Sequence, residues 1–387
     1  MGLDARDNLQ VSILLPTHNR ADVLPFAIHS VLAQTVQDFE LLIVGDGCTD
    51  NTAEIVRNIA DPRIRWFDLP KGPNFGYANR NIALKQARGE YIAFMAHDDL
   101  WLSDHLEQLL PLFSDEKIEI VYSRPLWVIP PGMIAPGMLN LNHAPTLKAY
   151  LDKKAHGIPS SCVIHRRDCF SKYGYWDHTL SAGGDHDMWA RIIRGGGEKN
   201  FAYACHSTCL HFKANWRDES YDVAYGFRFW RRLFASGQMP SSLIVDVNSW
   251  ATEQEAVWQI MSSESKEWNK NIRSAIQQVV DLCAFQGNLL MEALATSNDE
   301  FMNESLPLHP PLDFDFIRLM ESVKKMLSNQ RSLEHTRNAL ENANKYLEDI
   351  KNTLTWKIHE YFMNIYLVRK VFLMIVLPIR RWRSNFK

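Results

Sequence analysis

A chain of 387 residues can hold one large domain with an appendage, or two domains, and its 46% apolar and 22% charged content excludes an intrinsically disordered protein. A net charge of −3 gives no general attraction to nucleic acid, so no nucleic-acid partner is expected. The six cysteines are sparse and irregular, which argues for a reducing compartment; the first seven residues lack the apolar core of a secretory signal, and no window reaches the ~18 uninterrupted apolar residues of a membrane span.

The first hundred residues alternate strand and helix. Val11 to Leu15 is a short apolar strand, and Asp22 is placed to cap a helix carrying Leu24, Ile28, Val31 and Leu32 on one face, with Pro25 in its tolerant first turn. Phe39 to Val44 reads as a second strand, Asn51 with Glu54 as a capping box for a second helix, and Ile64 to Phe67 as a third strand. Ala78 to Ala87 follows as a helix, and the apolar run Tyr91 to Met95 as a buried strand. Repeated βα units imply a mostly parallel sheet flanked by helices. Ile118 to Tyr122 and Ser161 to His165 are further strands, the Pro- and Gly-rich stretch from Pro125 to Pro145 is expected as a loop, and Asp187 to Ile193 as a short helix. Cys205, His206, Cys209 and His211 do not have a standard zinc spacing, and that segment also reads as a strand.

From about Val223 the chain looks helical. Leu319, Met326, Leu333, Leu340, Leu347 and Leu354 recur every seventh residue, the spacing of a coiled coil, while the companion core positions are mixed, Val323 and then Gln330, Arg337 and Asn344. A homo-oligomer through this helix and packing on its own domain both remain open. After Glu360 there are six basic residues and no acidic one, around the apolar stretch Val371 to Leu377 with flanking aromatic residues. That composition suits an anionic membrane surface, with a helix docked on the protein as the other reading. The division expected is 1–222, a helical extension 223–315, and a heptad helix with basic tail 316–387.

Four polar pieces interrupt the apolar pattern. Pro16-Thr17-His18-Asn19-Arg20 follows the first strand, and Gly45 to Thr52 follows the second. Asp98-Asp99 follows the strand ending at Met95, and Gly183-Gly184-Asp185-His186-Asp187 opens a helix. The first three lie at carboxyl ends of strands, where open α/β sheets bind ligands. Adjacent carboxylates such as Asp98 and Asp99 repel unless a cation or hydrogen-bond donors face them. A divalent metal carrying a phosphorylated ligand is the natural inference. The first turn has no Gly-x-Gly-x-x-Gly, and no Gly-x-x-x-x-Gly-Lys loop occurs, which disfavours a nicotinamide dehydrogenase and an NTPase.

From Val11 to Trp216 these motifs, with Ser30 to Thr35 and Ala78-Asn79-Arg80-Asn81 through Arg88 to Ile92, resemble family 2 glycosyltransferases of bacterial surface-polysaccharide type. That resemblance implies the nucleotide-sugar-binding α/β fold called GT-A, here with a C-terminal helical extension. It implies that Pro16, Thr17, Asn19, Asp46, Arg80 and Asp98 bind the nucleotide sugar, with Asp46 accepting a hydrogen bond from the base and Asp98 on the ribose side. It further implies that Asp99 holds Mn²⁺ or Mg²⁺, with His211 as a further candidate ligand, and that Asp185 is the general base of an inverting transfer. The donor expected is a UDP-, GDP- or dTDP-sugar, the acceptor a glycan or lipid-linked hydroxyl, and the setting cytoplasmic, peripheral on the inner face of the membrane. A processive synthase of the family would carry several spans and a Gln-x-x-Arg-Trp motif, so single-sugar transfer is preferred. The competing class is an inactive nucleotide-sugar-binding scaffold that works through its helical tail. Three departures stand out: Gly45 and Gly184 replace acidic residues common in the family, and Cys48 stands where Ser is usual.

Overall fold

A computed structural model describes residues 9–295 apart from 138, 143, 154–156, 198, 213–226, 236 and 238. The heptad helix and the basic tail lie outside the described residues. The chain divides into two units, the first made of 1–137, 156–213 and 242–274, the second of 138–155, 214–241 and 275–387.

The first unit is built on nine strands: β1 Val11–Thr17, β2 Phe39–Asp46, β3 Ile64–Leu69, β4 Tyr91–Phe94, β5 Leu100–Trp101, β6 Ile120–Ile129, β7 Met133–Pro136, β8 Val163–Arg166 and β9 Phe201–Phe212. Its order is β3-β2-β1-β4-β8-β6-β9-β5, with β7 paired to β6. The half containing β3, β2, β1 and β4 is parallel, as the βα alternation requires. Beyond β4 the sheet is mixed: β8 is antiparallel to β4 and β6, while β6 and β9 run parallel to each other. Two reversals bring β6 and β9 back to the direction of β4. The carboxyl ends of β1, β2, β4 and β9 therefore share one edge.

Around these strands lie α1 Leu24–Leu32, α2 Thr52–Asn58, α3 Tyr77–Leu84, α4 His105–Leu109, α6 Cys169–Tyr173 and α7 Gly184–Gly195. The apolar face predicted for α1 is inside: Leu24, Ile28 and Val31 are fully buried with Ile13, Leu15, Leu41 and Ile43. Both faces of β2 are buried, so its continuous apolar run is what a parallel strand between helix layers needs. At the amino end of the sheet one buried charge is balanced: Glu40 accepts from Ser12 Oγ at 2.7 Å and faces Arg65 at 2.7 Å and Arg88 at 2.8 Å.

Several local expectations are corrected. The segment from Pro125 is not a loop: β6 runs through it to Ile129 and turns into β7. A proline cannot donate to a ladder, and the β6–β9 register shifts on either side of Arg124, beside Pro125, accommodate it. Neither Asp22 nor Asn51 caps its helix by side chain. Asp50 is the acceptor instead, taking bonds from Thr52 N at 3.0 Å and Ala21 N at 3.1 Å, which ties α2 to the loop after β1.

In the second unit lie α5 Ala144–Leu151 and α8 Phe227–Ala235. The chain then returns to the first unit as α9 Glu253–Ser263, and α10 Ser265–Ala295 starts there and continues into the second. No helix among the described residues is long and apolar enough to cross a membrane.

Candidate active site

The loops after β1 and β2 are fastened to each other. Asn19, at a φ of 51°, donates from Nδ2 to Thr49 Oγ1 at 3.1 Å and accepts from Thr49 N at 2.7 Å. The Cys48 thiol lies 3.7 Å from the Thr17 carbonyl. Asn19 is thus a clip between loops, and the hydroxyl of Thr17 is buried there without a hydrogen-bond partner.

Asp46 closes β2 and is 6% exposed. Lys71 Nζ donates to it at 2.6 Å, Gly72 N at 2.7 Å and Asn79 Nδ2 at 2.6 Å. Burial pushes its carboxyl up, and the bonds from Lys71, Gly72 and Asn79 outweigh that, holding it below the ordinary value of 3.8. The carboxylate also governs the backbone above it: a Cβ on Gly76, at a φ of 68°, would lie 2.6 Å from Asp46 Oδ2. Nothing local in the sequence shows this partner, because Lys71 sits in a Pro/Gly loop 25 residues from Asp46.

Helix α3 links Asp46 to the turn that bears Asp185. Asn79 reaches Asp46, while the Tyr77 hydroxyl accepts from Gly184 N at 3.0 Å and so fixes the first turn of α7. Asn81 and Trp176 exchange two bonds, at 2.8 and 3.1 Å. The Arg80 guanidinium lies 4.9 Å from the Tyr77 ring centre and 5.0 Å from that of Trp176, and the charges of Asp46 and Asp185 both act on it. Asp185 is half-buried in the first turn of α7, its Oδ1 accepting from His186 N at 2.8 Å. The structure therefore brings Asp46, Arg80 and Asp185 around one helix. Trp189 is core, 1% exposed and edge-on to Phe94 at 4.9 Å.

Two of the departures have packing reasons. A Cβ on Gly45 would meet the Trp66 ring at 2.3 Å, and one on Gly184 would meet the Tyr77 ring at 2.6 Å. Aromatic rings occupy the room that acidic side chains would need.

The carboxylate pair is split by its surroundings. Asp99 is fully buried and satisfied by protein: Ser161 Oγ donates to Oδ2, His211 Nδ1 lies 2.9 Å from Oδ2, and Phe212 N donates to Oδ1 at 3.2 Å. The structure thus joins Asp99 and His211, but as a hydrogen-bonded pair. In the structure these three protein donors face the Asp99 carboxylate, the group that the resemblance assigns to the cation. Asp98 keeps 16% of its side chain exposed, with His97 Nε2 at 3.9 Å. Burial holds the His97 imidazole below its ordinary 6.5 despite Asp98 beside it.

Among the described residues no group of three or more His, Cys, Asp and Glu side chains makes a complete metal site. Mg²⁺ and similar hard cations commonly take one or two carboxylates and complete their shell with phosphate oxygens and water. The partly exposed carboxylate of Asp98 fits that donor set.

Residues 12–174 match the model described as glycosyl transferase family 2. A UDP-Glc:alpha-D-GlcNAc-diphosphoundecaprenol beta-1,3-glucosyltransferase of Escherichia coli is 36% identical over 118 residues, which is 30% of this chain and 46% of that protein. A glycosyltransferase of Rickettsia typhi is 30% identical over 48% of this chain and 58% of its own length. The chain thus spans about half the length of these relatives. Among solved structures, S. aureus TarS 1-349 in complex with UDP-GlcNAc has a TM-score of 0.43 at 17% identity, over 61% of this chain and 76% of that one. A mannosyltransferase of Pyrobaculum calidifontis with GDP-Man and Mn²⁺ also has a TM-score of 0.43, at 15% identity over 87% of this chain and 86% of that one.

Proposed function

Over residues 12–174 the chain belongs to glycosyl transferase family 2, and from that premise we propose that it moves a single sugar from a nucleoside diphosphate sugar to a hydroxyl of a glycan or lipid-linked acceptor, with inversion. The observation that carries this reading is α3, whose side chains reach both Asp46 and the helix turn bearing Asp185. A nucleotide held at the Asp46 end would present its sugar toward the Asp185 end.

In this reading Thr17 and Asp46 contact the nucleotide, and Arg80 adds positive charge between donor and base. Asp98 would hold a Mn²⁺ or Mg²⁺ ion, with His211, paired to Asp99 through Nδ1, as the second candidate. The ion would neutralise charge on the departing diphosphate. Asp99 acts behind it by fixing His211. Asp185 accepts the proton of the acceptor hydroxyl as its oxygen bonds to the anomeric carbon and the carbon–phosphate oxygen bond breaks on the opposite face. An α-linked donor then gives a β-linked product. The donor is a UDP-, GDP- or dTDP-sugar; the glucosyltransferase relative, which by its name uses UDP-Glc, favours UDP. The six basic residues after Glu360 favour an acceptor presented at an anionic membrane surface.

The test is donor hydrolysis and transfer with and without Mn²⁺. The parent should turn over only with metal. Asp185→Asn keeps the helix turn and should lose activity about 100-fold or more, the scale of a general base. Equal turnover by parent and variant would remove Asp185 from the mechanism.

A further inference from the structure

The match to the glycosyl transferase family 2 model ends at residue 174, well before α9, yet α9 reaches the carboxylate step. Gln254, 9% exposed in the first turn of α9, donates from Nε2 to the main-chain carbonyl of Asp98 at 3.1 Å. That carbonyl belongs to the peptide joining Asp98 to Asp99, whose N–H donates to the Ala96 carbonyl at a long 3.3 Å. The Asp99 side chain is locked by its three donors, so the orientation of this peptide decides where the Asp98 carboxylate points.

The helix is itself held firmly at that end. Thr252 Oγ1 accepts from Glu255 N at 3.1 Å, and Glu255 reaches back to Ala251 N at 3.2 Å, a capping-box-like arrangement. Glu253 accepts from Gly132 N at 3.0 Å, and Val245 N donates to the Gly132 carbonyl at 2.9 Å, fastening the segment to the turn between β6 and β7. Trp258 stacks on His29 of α1 at 6.2 Å. At the other end of the same loop, Asn269 and Arg273 of α10 hold Asp104, Arg273 with two bonds at 2.7 and 2.8 Å. The loop from 98 to 104 is thus gripped at both ends by residues 242–274.

We propose that Gln254 is a positioning residue for the donor site: its amide fixes the Asp98–Asp99 peptide so that Asp98 presents its carboxylate to the cation carrying a nucleoside diphosphate. This rests on the donor reading given under Proposed function. It makes the segment after the sheet part of the site rather than an appendage.

The test compares the full chain with Gln254→Met, which keeps length and removes the donor, and with Gln259→Met on the exposed face of the same helix. Without ligand, hydrogen exchange should quicken in the peptide spanning residues 95–101 for Gln254→Met alone. In calorimetric titrations with UDP or GDP, the Mn²⁺ needed for half-saturation should rise about 10-fold in Gln254→Met, as for partners behind metal ligands, with metal-free nucleotide binding unchanged. Unchanged exchange overturns the positioning role whatever the ligand proves to be. Faster exchange with an unchanged Mn²⁺ requirement overturns its link to the cation. A parent that binds neither nucleotide with Mn²⁺, while the exchange still responds, overturns the donor reading and leaves the contact standing. Equal loss in Gln259→Met would show a general effect on α9 and overturn the assignment to Gln254.

Discussion

Asp98 and Asp99 are neighbours in sequence with opposite surroundings, and substitution separates them. Asp99→Ala leaves Ser161, His211 and the Phe212 N–H without their acceptor, which costs about 2–3 kcal/mol in a buried setting. The melting temperature should fall by several degrees, the size effect expected for a domain of this size. Asp98→Asn keeps a partly exposed side chain and should hold its melting temperature within about 1 °C while Mn²⁺-dependent nucleotide binding is lost. Calorimetry of unfolding and titration on the two variants checks both outcomes; equal destabilisation would contradict the division of labour. The sequence shows two adjacent carboxylates and a strand before them. It does not show which is buried, because Ser161 and His211, the partners that decide, lie 62 and 112 residues away. The pairing of Lys71 with Asp46 is hidden for the same reason, since the two lie 25 residues apart, across β3 and its loop.

At the scale of elements, two histidines tie stability to pH. His105 on α4 is fully buried, stacked on Trp101 at 4.0 Å, and burial pushes it from 6.5 down to about 3. His165 on β8 is likewise buried and pushed down to about 4. Both stay neutral in the fold at pH values where the unfolded chain would protonate them. Stability from this source is complete above about pH 6.5 and falls as pH drops toward 4, by roughly 1 kcal/mol per histidine at pH 5.5. Glu40 and Asp46, whose carboxyls are held below their ordinary values of 4.5 and 3.8, stay ionised in the upper part of that window and add their own loss only in stronger acid. Melting temperatures from pH 7 to 5 should decline in the parent and decline less in His165→Phe; identical slopes would clear His165 of the effect. Elements with a regular period were legible: β1, β2 and α1 follow from apolar spacing alone. β6 was not, because Pro125 and the glycines after it are turn residues by composition, and only the neighbouring strand β9 with its shifted register lets a strand continue through them.

For the whole molecule, the alternation of strand and helix foretold the parallel half of the sheet, and motif order foretold that the loops after β1, β2 and β4 share one edge. The mixed half was hidden because β8 enters antiparallel after a long excursion, and no local pattern encodes that reversal. The return of residues 242–274 to the first unit was equally hidden, being carried by scattered polar contacts such as Gln254 to Asp98 and Arg273 to Asp104. The account's central claim is that this edge gathers a cation and a nucleoside diphosphate between Asp46 and Asp185. Crystals soaked with Mn²⁺ and UDP, GDP or dTDP, measured for manganese anomalous scattering, address it most directly. A peak at roughly 2.0–2.2 Å from an Asp98 oxygen, with the nucleotide base beside Asp46, is the result predicted. Nucleotide and metal absent from that edge, or bound elsewhere on the protein, would contradict it.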